Sequence, residues 1–161
     1  MTNNINITSN PAPKASAKPQ KYLFDGFSDL LIRMHYAFEE EEWADDTMWD
    51  IACAQSASEV EKAWCLVKLK AEDLMAVQPL SENDLVLYRM AGLVKCAVST
   101  DNIVTLCATH AKALECLSNA SQGLAPAVRD LAQEAESCLD QMFEHALESE
   151  GTTDSILPLA A

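Results

Sequence analysis

Glycine and aromatic residues are scarce in this chain, whose 161 residues include only four glycines, three tryptophans, three tyrosines and four phenylalanines. Ala, Leu and Glu are plentiful instead, which is typical of helical proteins. About half of the residues are apolar, and the length allows one domain with a hydrophobic core. No stretch shows the alternating pattern of a β-strand. The sequence therefore predicts an all-α protein.

Signals of chemistry and targeting are also missing. The chain has neither a phosphate-binding glycine loop nor a nucleophile elbow. The N-terminus lacks the apolar segment of a signal peptide, and the longest apolar stretch, residues 85–98, is interrupted by Arg89 and Lys95. That stretch is too short to span a bilayer. We therefore expect a cytoplasmic protein with no membrane contact, no catalytic residues, no cofactor and no metal.

No two of the six cysteines have the C-x-x-C spacing of a zinc or redox site. Without export, cysteines remain reduced and behave as small apolar residues. We therefore expect them in the core. They are Cys53, Cys65, Cys96, Cys107, Cys116 and Cys138.

Positive charge is in short supply. Eleven Lys and Arg stand against 25 Asp and Glu, for a net charge of -14. Three of the eleven, Lys14, Lys18 and Lys21, lie near the N-terminus, so residues 25–161 carry 8 basic against 25 acidic residues, a net of -17. Such a charge repels nucleic acid and anionic membranes and attracts basic surfaces. We expect a basic protein surface as partner and no direct binding to nucleic acid.

The chain divides into three parts. Residues 1–21 are a flexible polar tail, residues 22–150 a helical bundle domain, and residues 151–161 a loose C-terminal tail. Apolar periodicity in the domain predicts about five to six helices joined by short loops, and short loops imply an up-down antiparallel bundle. The predicted helices lie near residues 26–38, 46–54, 58–78, 81–98, 100–118 and 126–148.

Capping signals mark several helix starts. Ser58 with Glu61, and Ser81 with Asp84, have the spacing of a capping box. Pro126 suits the first turn of the last helix. The helix near residues 81–98 is apolar nearly all round, which is typical of a central, buried helix. The same pattern would also suit a dimer interface, so a homodimer remains an alternative.

Between Arg33 and Lys62 the chain has nine carboxylates and no Lys or Arg. Surfaces normally mix both charge signs, so this segment predicts an exposed corner of the bundle that binds a basic partner. Embedded tryptophans could anchor that partner, or could instead be buried core residues. The predicted partner-binding residues of this segment are Glu39, Glu40, Glu41, Glu42, Trp43, Asp45, Asp46, Trp49 and Asp50.

The last predicted helix carries a second acidic feature. Its carboxylates lie four residues apart and so repeat every ~6 Å along one face, which we expect to face solvent. Like charges at this spacing destabilise a helix by roughly 0.2–0.5 kcal/mol per pair. The stripe is either a solvated face or a second part of the partner-binding surface. Its residues are Glu136, Asp140, Glu144 and Glu148.

His110 lies in an apolar stripe, where a core histidine and a functional one are both possible interpretations. Histidine phosphotransfer domains have Lys three residues after the His and then Gly, whereas here Lys112 follows after two and no Gly comes next. Di-iron bundles need Glu three residues before the His, and Cys107 stands there. The residues around His110 therefore match neither class.

Three functional hypotheses remain. The leading one is a non-enzymatic protein-interaction module that binds a basic partner, with an acidic helical secretion chaperone as a variant. In composition and charge the chain also resembles small acidic bacterial or phage proteins of the anti-restriction and anti-CRISPR type. That resemblance implies a nucleic-acid-mimic inhibitor of a DNA- or RNA-binding enzyme. The third is a small-ligand-binding or enzymatic bundle that uses the His110 region.

Overall fold

The computed structural model describes residues 18–46, 53–120 and 123–153, which contain five α-helices and no strand. The all-α prediction is confirmed. The helices are α1 (Lys21–Asp46), α2 (Cys53–Met75), α3 (Glu82–Val98), α4 (Ile103–Asn119) and α5 (Pro126–Thr153). Within this part of the chain, none of them combines the length and apolarity needed to cross a membrane.

Successive helices run antiparallel, as predicted for an up-down bundle. At the start of α1, the Tyr22 hydroxyl donates a hydrogen bond to Asp73 near the end of α2, at 2.8 Å. Further along α1, Phe38 packs against Trp64 in the first half of α2. The starts of α1, α3 and α5 lie together, because the Gln20 amide donates a 2.7 Å hydrogen bond to Asp84 and the Ala125 amide a 2.9 Å hydrogen bond to Asn83. These three helices therefore point one way, and α2 and α4 run the other way.

Helix α3 lies at the centre of the bundle, because it contacts each of the other four helices. Its Leu87, Met90 and Val94 are fully buried in a single hydrophobic cluster to which every helix contributes. This confirms the prediction that an almost entirely apolar helix is central. Most of its apolar surface is covered within one chain, whereas Leu93 and Val98 remain partly accessible.

The acidic segment is helical where the structure describes it, since residues 39–46 form roughly the last two turns of α1. The prediction that this part is a corner outside the first helix was therefore wrong. Glu and Ala are good helix formers, and α1 is held by the buried Ala37 and the half-buried Phe38 just before these turns. Weak repulsion between neighbouring carboxylates does not overcome that packing. Most of the predicted short helix near 46–54 lies outside the described residues.

One capping prediction was right and the other wrong. Ser81 is the N-cap of α3, with an extended backbone (φ -136°, ψ 167°) and a side chain that accepts a 3.1 Å hydrogen bond from the Asp84 amide. Pro126 is the first residue of α5, as predicted. Ser58, in contrast, lies inside α2, which begins at Cys53. A capping box is a local signal, and here the helix continues through it.

The difference between the two serines can be measured. Ser81→Ala is expected to lower the free energy of unfolding by about 1 kcal/mol, because the Asp84 amide loses its acceptor. Ser58→Ala, the matched control, is expected to be neutral or to stabilise by up to about 0.5 kcal/mol, since alanine is the best helix former. Urea unfolding of both variants checks this. Equal losses would contradict the helix boundaries described above.

The cysteine prediction was mostly wrong. Cys138 is buried, and burial raises the pKa of its thiol to about 11. Cys116 is half-buried, whereas Cys65, Cys96 and Cys107 are exposed. All five are free thiols. The side chain of Cys53 lies outside the described part of the chain. Neither apolarity nor spacing distinguishes Cys138 from the other four described cysteines, because the rotation of each helix against its neighbours decides which face is covered.

Candidate partner-binding surface

The acidic turns of α1 border a concave surface between α1 and α5. We call this concavity, of about 440 Å³, the outer pocket. Three carboxylates of α1 stand on one side, and Gln141 and His145 of α5 stand on the other. Its lining residues are His35, Phe38, Glu39, Glu41, Glu42, Gln141 and His145.

A second concavity, of about 430 Å³, adjoins it at the same end of the bundle, and we call it the inner pocket. Helices α1, α2, α3 and α5 and the loop after α3 all contribute. Its residues are Phe38, Glu41, Glu61, Trp64, Cys65, Lys68, Ala97, Val98, Thr100, Asp101, Met142 and His145. Phe38, Glu41 and His145 line both pockets, so the two form one feature, which we call the end groove.

Glu41 stands at the junction of the two pockets and is held in place by Trp64. The indole Nε1–H of Trp64 donates a 2.7 Å hydrogen bond to Glu41 Oε1. The Trp64 ring in turn meets Phe38 edge to face, with ring centroids 5.1 Å apart and an interplanar angle of 86°. An ionised acceptor makes such a hydrogen bond short and strong. The carboxylate therefore has a defined position beside an aromatic wall.

The end groove is strongly acidic. Glu39, Glu41 and Glu42 come from α1, Glu61 from α2 and Asp101 from the loop after α3. Among the described residues that line the groove, Lys68 is the sole Lys or Arg. Because low-dielectric walls strengthen the field of clustered charges, this end of the bundle attracts cations.

Of the two tryptophans in the acidic segment, Trp43 is described by the structure and Trp49 is not. Trp43 is 73% exposed, so the interpretation as a core residue is wrong for it. Trp49 and Asp50 lie outside the described residues, and Asp45 and Asp46 lie in the last turn of α1. Among the described residues, the tryptophan that lines the groove is Trp64 of α2, which lies outside the acidic segment.

Sequence reasoning missed the groove residues that lie outside α1. Glu61, Trp64, Asp101 and Met142 belong to separate elements and share no local spacing. No sequence signal could have grouped them, because only the packing of the helices brings them together. What the sequence did predict is the acidic character of the α1 side.

The acidic stripe of α5 faces solvent only in part. Glu136 Oε1 lies 2.8 Å from His110 Nε2, and Asp140 Oδ1 lies 3.4 Å from His110 Nδ1, so both carboxylates face α4. The prediction of a solvent-facing stripe was wrong for Glu136, which is half-buried. Glu144 and Glu148 are exposed. Helical residues four apart rotate by ~40°, so the stripe winds from the α4 side towards the α1 side.

His110 therefore joins α4 to α5 rather than sitting in the core. Its side chain is 17% exposed, and its ring centroid lies 6.3 Å from that of Phe143. It lines neither pocket of the end groove. Among the described residues, no group of three or more His, Cys, Asp or Glu could hold a metal ion. A ligand site at His110 stays a prediction.

We found no significant match between this chain and any protein-family profile, curated protein or solved structure. The geometry and charge of the end groove are therefore the observations that bear on function.

Proposed function

We propose that this protein is a non-enzymatic, acidic helical interaction module that binds a basic partner protein through the end groove. One observation carries the proposal. Carboxylates from three separate elements surround a concave surface in which Lys68 is the sole Lys or Arg among the described lining residues. Exposed Trp43 lies directly after the acidic residues of α1 and adds an aromatic contact.

Charged and apolar residues contribute to binding in different ways in such a surface. Charges at the rim raise the rate of association and reject partners of the same sign. Apolar and aromatic residues at the centre supply most of the binding free energy. The end groove has both parts, since Phe38, Trp64 and Met142 line the same pocket as Glu41, Glu61 and Asp101.

Mimicry of nucleic acid is supported less well. A mimic needs a long row of accessible negative charges, and the row we expected on α5 is interrupted at Glu136, whose half-buried side chain faces His110 of α4. Competition between this protein and DNA for a nuclease or repressor would favour mimicry over the proposal.

Charge reversal at the groove tests the proposed function. The partner is first captured from the native host at low salt and purified, and its affinity is then measured directly. Glu42→Lys combined with Asp101→Lys is expected to weaken binding roughly 10- to 100-fold, because both exposed carboxylates would then repel a basic surface. Calorimetry at two salt concentrations, roughly 50 and 300 mM, provides the measurement.

The matched control reverses two exposed carboxylates near the opposite end of the bundle. Glu82→Lys with Asp130→Lys changes the net charge by the same amount, and we expect less than about a threefold effect on affinity. Equal losses in the two double variants would mean that overall charge, and not the groove, drives binding. An affinity that does not change with salt would argue against the proposal altogether.

A further inference from the structure

We infer that the end groove binds a cationic segment of the partner that inserts one large apolar side chain into the inner pocket. This inference rests on the proposed function and specifies the chemistry of the partner. The apolar side chain would lie against Phe38, Trp64 and Met142, with Lys or Arg residues on both sides of it.

The wall of the inner pocket is apolar and incompletely covered. Phe38, Trp64, Val98 and Met142 pack against the hydrophobic core, yet each remains partly accessible. A cavity of about 430 Å³ above them is large enough for an aliphatic or aromatic side chain. Covering these residues would remove apolar surface from water, which is the main source of binding free energy.

Carboxylates line both pockets of the groove, beside that apolar wall. Glu61 and Asp101 line the inner pocket, and Glu39 and Glu42 line the outer pocket, with Glu41 between them. An apolar partner alone would bury these carboxylates without compensation, at a large cost in desolvation. A partner that also brings cations avoids that cost.

The side chains of the groove are also preorganised for binding. The contact between Phe38 and Trp64 and the hydrogen bond from Trp64 to Glu41 hold the wall and the central carboxylate together. Binding then orders few additional side chains, which lowers its entropic cost.

Other occupants fit less well. A second copy of this chain would bring the same negative charge to the groove, and like charges placed together oppose association. A small organic cation would fill the inner pocket but leave Glu39 and Glu42 of the outer pocket without a partner molecule. A segment with several cations around one apolar residue matches both pockets.

Two synthetic peptides of about 18 residues test the inference with the full-length protein. The first combines Lys with Ala and has one Leu at its centre, and the second replaces that Leu by Ala and keeps all the Lys. The Leu peptide is expected to bind roughly tenfold or more tightly than the Ala peptide at physiological salt. Val98→Phe, which fills the inner pocket, is expected to reduce the Leu peptide to the affinity of the Ala peptide.

Val98 is half-buried, so a thermal melt must show that Val98→Phe is folded. Cys65→Phe is the second variant, because Cys65 is exposed and lines the same pocket. If both peptides bind equally and Glu42→Lys/Asp101→Lys weakens both, the apolar anchor is wrong and the proposed function stands. If neither peptide binds, the proposed function fails as well. If the pocket-filling variants leave the preference for Leu intact, Leu binds elsewhere and the inference is wrong.

Discussion

Replacing Leu87 by alanine is expected to lower the free energy of unfolding by about 2–5 kcal/mol. Leu87 has no exposed surface and lies on α3, the helix that all the others contact. Truncation removes apolar atoms from the core and leaves a cavity that four surrounding helices cannot easily close. Chemical unfolding in urea, followed by circular dichroism, measures the loss.

The matched control is Leu69→Ala, the same chemical change at a position that is 54% exposed. We expect it to change the free energy of unfolding by less than about 0.5 kcal/mol, because little burial is lost and alanine favours the helix. Similar effects at Leu69 and Leu87 would contradict the central position of α3. A loss only at Leu87 would support it.

Asp84→Ala is expected to lower the free energy of unfolding by about 2–4 kcal/mol. Asp84 lies in the first turn of α3, where acidic residues are usually exposed. The residue is fully buried. It accepts hydrogen bonds from the Gln20 amide at 2.7 Å, the Gln20 side chain at 3.2 Å and the Leu80 amide at 3.1 Å. Removing the carboxylate leaves these donors without an acceptor and detaches the start of α1 from α3.

The same residue makes stability depend on pH. Burial alone would raise the pKa of Asp84, but the hydrogen bonds from Gln20, Ser81 and Leu80 outweigh burial and lower it below the usual 3.8. A lowered pKa in the folded state means that the contribution is complete at neutral pH and is lost as pH falls through the folded value. The difference in stability between the parent protein and Asp84→Asn should therefore be constant above about pH 5 and shrink in stronger acid.

Glu82→Gln provides the control for Asp84. Glu82 also lies in the first turn of α3, so both changes remove a charge that favours a helix N-terminus, but Glu82 is exposed. We expect a loss of no more than about 1 kcal/mol there. If Asp84→Asn is as mild as Glu82→Gln, the hydrogen bonds to Gln20 and Leu80 contribute little.

Helix periodicity predicted most of the fold because the spacing of apolar residues within each helix indicates which face is buried. The apolar character of residues 81–98 was enough to predict the central helix, and Ser81 marked its start. Prediction failed where a local signal competed with tertiary packing. Ser58 has the spacing of a capping box, yet α2 begins earlier, at Cys53. In α4, Thr109 is buried in the core, and the neighbouring His110 lies between α4 and α5.

The candidate site was predictable only in its charge. The run from Glu39 to Glu42 is visible in the sequence, and its lack of basic residues indicated a basic partner. The apolar wall was not predictable, because Trp64 and Met142 are far from that run in sequence. Their meeting with Phe38 depends on how α1, α2 and α5 pack.

Composition and helical periodicity were enough to predict an all-α protein with its most apolar helix at the centre, and a net charge of -14 that attracts cations. These properties depend on composition and on short-range spacing, which any packing of the helices would keep. Tertiary packing, in contrast, brings Glu136 and Asp140 to His110 and places Glu41 against Trp64 at an open groove. Such contacts depend on how each helix is rotated and aligned against its neighbours, and many side chains together set that arrangement.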